Sequence, residues 1–152
     1  MKKFLLLVLW FPLSTFTFLD YYQAVRAYDR DDFIKSQDIL KKELINNPED
    51  ASLLFSLGDA SYRLKEFDQA QAYFSKAFEQ TKDPVLQQKA LFNKGNTLVQ
   101  KSKYKEAITE YEKVLRINSQ NADAAHNKKV IEQLLKEQEE QKEQKEQRGK
   151  DR

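Results

Sequence analysis

Residues 54–77 read LFSLGDASYRLKEFDQAQAYFSKA, a helix, a short turn and a second helix. Leu54, Leu57, Gly58, Phe67, Ala70, Phe74 and Ala77 fall where two such helices must touch. The same spacing returns at Leu91, Gly95, Leu98, Tyr104, Ala107, Tyr111 and Val114, and a fainter copy lies ahead of it in Ala24, Ala27, Phe33, Ser36, Leu40 and Leu44. Aligned on Phe33, Phe67 and Tyr104, the copies step by 34 and then 37 residues. A period of this length marks an all-α array of helical hairpins, about three of them here, each burying its apolar face on the next.

Gly58 and Gly95 stand inside helical runs, where glycine costs about 1 kcal/mol against alanine. A cost repeated at one register predicts a compensation, the close approach of the facing helix, with Ala70 and Ala107 as the small residues opposite. Phe67, Phe74, Tyr104 and Tyr111 are expected to fill the space on either side. Composition agrees: helix formers dominate, and three glycines and three prolines in 152 residues exclude a β-rich fold. Lys and Arg total 26 against 24 Asp and Glu, so no charge excess points to nucleic acid. With no cysteine there is neither a disulfide framework nor thiol chemistry.

The pattern of Leu-Gly, an aromatic, Ala, an aromatic, Ala and a closing Pro resembles the tetratricopeptide repeat, over roughly residues 17–121. The central copy matches closely. The third has Lys94 at the Leu of Leu-Gly and Ser119 at the closing Pro. The first is degenerate, with Ala24 at the Gly, Ser36 at the first Ala and Glu43 at the second, although Pro48 closes it correctly.

The chain opens MKKFLLLVLWFPLSTFTFLD. Lys2 and Lys3 before the apolar run Phe4 to Leu13 have the form of a secretory signal, and the run is short for a spanning helix. Residues 1–19 are therefore read as a signal peptide or a membrane anchor, cleaved after Thr17 or retained, with the repeats on the periplasmic side. Residues 20–135 are the array with its capping helix. Asp50 is placed to cap the helix opening at Ala51, and Asp83 with Pro84 reads as an N-cap and first helical residue. Residues 122–135 supply one more amphipathic helix, its stripe made of Ala122, Ala125, Val130, Ile131, Leu134 and Leu135, to cover the last hairpin. Residues 136–152, KEQEEQKEQKEQRGKDR, are a charged low-complexity tail that can continue the helix through pairs such as Glu132 with Lys136 and Glu146 with Lys150, fraying before Gly149. From Ala122 to the end there are eight basic and eight acidic residues, so the tail is not a polybasic one.

No constellation of catalytic residues emerges, and the chain reads as non-enzymatic, with no cofactor. His126 is the lone histidine and no cysteine joins it, so no metal site of the usual ligand type can be assembled. Asp29, Asp31, Asp32 and Asp38 lack the Gly and closing Glu of a calcium loop.

What remains is a binding surface. In tetratricopeptide arrays the first helices of successive pairs line a concave groove, and the resemblance places Tyr21, Tyr28, Phe55, Asp59, Tyr62, Arg63, Lys89, Phe92, Asn93 and Asn96 there. Aromatics with Arg and Asn suit a protein partner, although Tyr28, Phe55 and Phe92 equally fit a role in packing helix on helix. Family members that clamp a terminal carboxylate place Lys and Asn in the first pair, Asn in the second, and Lys with Arg in the third. Here Tyr21, Val25, Ser56, Lys89 and Asn93 stand at those positions, which argues against a ligand of that kind. The last repeat and its tail, YEKVLRINSQNADAAHNKKVIEQLLKEQEEQ, also resemble the repeat proteins of bacterial aerotolerance (Bat) operons. That resemblance implies an envelope scaffold acting with von Willebrand factor A-domain membrane proteins. The alternative is an envelope chaperone or assembly factor that holds exported clients.

Overall fold

A computed structural model of the chain describes the backbone of residues 14–150 and the side chains of residues 19–148. The described residues form seven helices: α1 (Ser14–Tyr28), α2 (Phe33–Asn46), α3 (Ala51–Arg63), α4 (Phe67–Gln80), α5 (Pro84–Gln100), α6 (Tyr104–Ile117) and α7 (Ala122–Lys150). Each helix packs on the next in sequence, and α3 also touches α5. This is the quasi-one-dimensional stacking that the sequence period requires.

The helix starts follow local chemistry. The Asp50 carboxylate accepts from the Ser52 and Leu53 amides at 2.8 and 3.0 Å, and the Asp83 carboxylate accepts from the Val85 amide at 3.0 Å, with Pro84 as first helical residue. The turn inside each hairpin has one construction. Asp31, Lys65 and Ser102, each two residues ahead of a second helix, lie in the left-handed region at φ 59°, 62° and 57°. In each turn the next amide then reaches back to close the preceding helix: Asp32 to the Ala27 carbonyl, Glu66 to Ser61 and Lys103 to Leu98, at 2.8–2.9 Å.

The two helical glycines are explained by rings. A Cβ on Gly58 would lie 2.5 Å from Cε1 of Phe74, and one on Gly95 would lie 2.7 Å from Cε1 of Tyr111. Both rings are almost wholly buried. The close approach is therefore that of an aromatic side chain, not of Ala70 or Ala107, which are buried elsewhere in the same interfaces. In the first hairpin the glycine position holds Ala24 and the aromatic position holds Leu40, and these two pack in one cluster with Leu53 and Leu57. A methyl group is accommodated where the facing side chain is smaller. The degenerate copy thus keeps the packing by a paired exchange. Lys94, at the expected Leu of the third copy, is accommodated by an ion pair to the buried Glu110 at 3.3 Å, which Lys113 shares at 2.9 Å.

α7 covers α6 as expected, with the C-terminal half of the expected stripe, Ile131, Leu134 and Leu135, buried or half-buried. Ala124 and Ile131 are buried and Leu135 packs against the same cluster, whereas Ala122, Ala125 and Val130 are exposed. Asn127 and Lys128 occupy the half-buried positions between, bonded to Asn96 and Glu112. Polar contacts thus complete the seven-residue step from Ala124 to Ile131, and an apolar stripe alone misplaces it. The helix does not stop at Leu135; it runs unbroken through the charged tail to Lys150.

Most of the segment read as a signal or anchor lies outside the described residues; its backbone enters the description at Ser14, as the start of α1. The expected boundary at residue 19 falls within α1. Among the described residues no helix is long and apolar enough to cross a membrane.

Candidate functional site

The odd-numbered helices present one continuous face, tied together by polar contacts between neighbours. From α3, the Arg63 guanidinium lies 5.9 Å from the Tyr28 ring of α1 and 4.5 Å from the Phe33 ring of α2, and its Nη2 donates at 3.2 Å to Asp31 Oδ1 in the turn between those two helices. Between α3 and α5, Asn93 Nδ2 donates to Asp59 Oδ1 at 2.8 Å. Between α5 and α7, Asn127 Nδ2 donates to Asn96 Oδ1 at 3.2 Å, and the same oxygen accepts from the Tyr111 hydroxyl at 2.7 Å.

The residues expected in the groove divide into four sets. Phe55 and Phe92 are half-buried and tilt against Phe74 and Tyr111 at centroid distances of 5.6 and 5.7 Å, so their rings serve helix packing. Tyr21 stands at the same repeat position, but Leu40 replaces the facing aromatic, and Tyr21 stays 37% exposed. Tyr21, Tyr28 and Asp59 are brought together in a hollow between α1 and α3 that is open to solvent, and Val25, Leu40 and Ser56 are among the residues that share its walls. Tyr62 and Asn96 meet in a second hollow, about 520 Å³, between α3, α5 and α7. Arg63 and Lys89 are exposed at the rim, and Asn93 supports Asp59 from α5.

Sequence reasoning missed the contribution of α7 to this face. His126, Asn127 and Val130 line the second hollow together with Gln100. Val130 is half exposed, which a helix assigned wholly to capping does not explain. Its place off the Ala124–Ile131 register is the signal that could have shown it.

Asp59 dominates the electrostatics of the face. Burial pushes its carboxyl up to about 6, against the pull of the Asn93 hydrogen bond and of the Lys89 and Arg63 cations. Burial, and then the Asp59 charge, raise the Tyr28 hydroxyl in turn. Among the described residues no group of three or more His, Asp or Glu stands close enough to hold a metal ion. The chemistry that the face offers is hydrogen bonding, ring contact and one shielded carboxylate.

Family models agree with this architecture. A tetratricopeptide-repeat model matches residues 21–84 and a TPR-repeat model matches residues 95–128. No significant match is found among curated proteins. Solved structures with the same fold include the first TPR of Spaghetti (RPAP3) bound to HSP90 peptide SRMEEVD, with a TM-score of 0.71 and 22% identity over 78% of this chain and 92% of that one. The Sgt2 TPR domain from Aspergillus fumigatus has a TM-score of 0.72 and 17% identity over 82% of each chain. The Yersinia enterocolitica type III secretion chaperone SycD, in complex with a peptide of the translocator YopD, has a TM-score of 0.67 and 15% identity over 75% of this chain and 90% of that one. Residues 21–84 and 95–128 of the chain are tetratricopeptide repeats, stacked in the fold of a TPR domain.

Proposed function

We propose that this protein is a non-enzymatic scaffold that binds an extended segment of a partner protein along the face of α1, α3, α5 and α7. The observation that carries the reading is the pair of hollows on one face, linked by the Asp59–Asn93 and Asn96–Asn127 bonds. Half-buried rings and amides at fixed spacing suit an extended peptide, whose side chains enter hollows while its backbone bonds to the amides. The peptides named with RPAP3 and SycD are precedents for such a ligand on this fold.

In its finer form the reading is an exported scaffold. Residues 1–19 act as signal or anchor, the repeats face the periplasm, and the partners are von Willebrand factor A-domain membrane proteins in a Bat-type complex. Lys2, Lys3 and the apolar run to Leu13 support export, and the Gln/Glu/Lys continuation of the last repeat supports the Bat assignment. The exposed Leu19, Tyr21, Tyr22 and Val25 on α1 favour a second reading, a chaperone that holds exported clients by apolar surface.

The test is recovery of the protein from envelope fractions in mild detergent, with mass analysis of its N-terminal peptide and of whatever co-purifies. A scaffold retains a defined A-domain partner, and the exposed substitutions Gln100→Glu and Val130→Asp release it. A soluble chain starting near Phe18, carrying a heterogeneous set of exported proteins that those substitutions leave in place, overturns the scaffold in favour of the chaperone.

A further inference from the structure

We propose that the hollow between α1 and α3 is a receptor for a basic side chain, Lys or Arg, of the bound segment. This rests on the reading that the odd-helix face binds a peptide, and it names the chemistry that one part of that face selects.

The hollow exists because the first repeat departs from the other two. Leu40 stands where Phe74 and Tyr111 fill the second and third hairpins, and the space it leaves opens between Tyr21 and Asp59. Its lining combines the apolar Val25 and Leu40, the rings of Tyr21 and Tyr28, and the polar Ser36, Ser56 and Asp59. Apolar, aromatic and anionic surface in one hollow matches a long aliphatic stem with a cationic tip. Tyrosine faces attract a cation, and a carboxylate gives it a charge-assisted hydrogen bond.

The carboxylate is free to do so. Asn93 engages Oδ1 only, and no ion pair to Asp59 forms among the described residues. Arg63, the nearest guanidinium along α3, is paired instead with Asp31. Nor is either carboxylate oxygen sealed in the interior without a partner. An acidic side chain would meet the Asp59 charge at close range, and a purely apolar one would strip water from it without replacing the lost hydrogen bonds. The positions at which the carboxylate-clamping relatives keep Lys and Asn hold Tyr21, Val25 and Ser56 here.

The groups facing Asp59 are Tyr28 from α1, Arg63 from its own helix, and Lys89 and Asn93 from α5. Protonation of Asp59 removes the carboxylate charge from the hollow. Selection for a base therefore fades as pH falls through about 6.

The experiment uses the full chain and a soluble library of twelve-residue peptides, each fixed at one position, captured at pH 7.5 and sequenced. The expected result is at least tenfold enrichment of Lys and Arg over Asp and Glu at one position, lost in Asp59→Asn and reduced at pH 5. Asp59→Asn keeps the shape of the side chain, and retained helicity with a Tm no lower than the parent's shows that the loss is not unfolding. Peptide capture without basic preference, or with a preference that Asp59→Asn leaves intact, overturns this inference while the peptide-binding reading stands. Capture of no peptide, either by the full chain or by a chain lacking residues 1–13, overturns both. Capture that appears only after residues 1–13 are removed, with Lys2 and Lys3, identifies the chain's own start as the occupant and overturns a partner peptide as the ligand.

Discussion

Two residues decide how tightly each hairpin closes. Phe74 and Tyr111 lie against glycines, and the ring edges leave no room for a methyl group. Gly58→Ala and Gly95→Ala should therefore destabilise by about 2 kcal/mol through overpacking, against the gain of about 1 kcal/mol that alanine brings to a helix elsewhere. Denaturant midpoints would check this, and a Tm above the parent would refute it. Glycine at this register was legible from the sequence; the ring seated on it was not, because a fixed spacing shows that two helices approach without showing which side chain fills the gap. The paired exchange to Ala24 and Leu40 was likewise hidden, since each change read alone looks like decay of the repeat. Asp59 gives a second residue-scale prediction. Its folded carboxyl lies at about 6, above the unfolded value near 3.9, so the folded state binds more protons between those values. The Asp59 contribution therefore makes the fold more stable as pH drops from 7 towards 4. Asp59→Asn should flatten that part of the stability–pH profile and raise Tm at pH 7, as thermal melts across the range would show.

At the scale of the element, the ends of the helices hold most of the local information. Asp50 and Asp83 were readable as caps because a carboxylate before a helical run has one evident use. Asp50→Ala should cost about 1 kcal/mol, measured by urea unfolding. The hairpin turns were readable as turns but not in their geometry, because Asp31, Lys65 and Ser102 share no side-chain chemistry and none is glycine. Their common left-handed backbone is set by the amide that must reach back to the preceding helix. An L side chain there carries about 1 kcal/mol of strain, part of which the greater unfolded-state freedom of glycine offsets. Lys65→Gly should thus stabilise by about 0.5 kcal/mol and Lys65→Val should destabilise, and thermal melts of the two variants check the sign. α7 shows the opposite failing: its existence, its capping role and the inward Ile131, Leu134 and Leu135 were plain, but its first turns were misplaced, because Ala124 is buried there and the polar Asn127 and Lys128 take the next inward positions, which an apolar stripe does not weigh.

Across the whole molecule, stability comes from nearest-neighbour contacts passed along the stack. The last contact is that of α7 on α6, where Ala124 and Ile131 are buried beside Tyr111 and Val114. A chain ending at Asn121 should melt at a markedly lower temperature and expose this cluster to a hydrophobic dye, whereas one ending at Lys136 should melt like the parent. Equal melting of the two would show that α7 caps nothing. The array itself was legible because its period is written in residue types. Beyond Leu135, α7 carries no apolar residue, yet it continues as one helix to Lys150. At 1.5 Å per residue that extension is a strut of about 22 Å. Its bearing is inherited from the packed half of the same helix, so anything attached to its tip is held at a set distance and azimuth from the binding face, and turning one end turns the other.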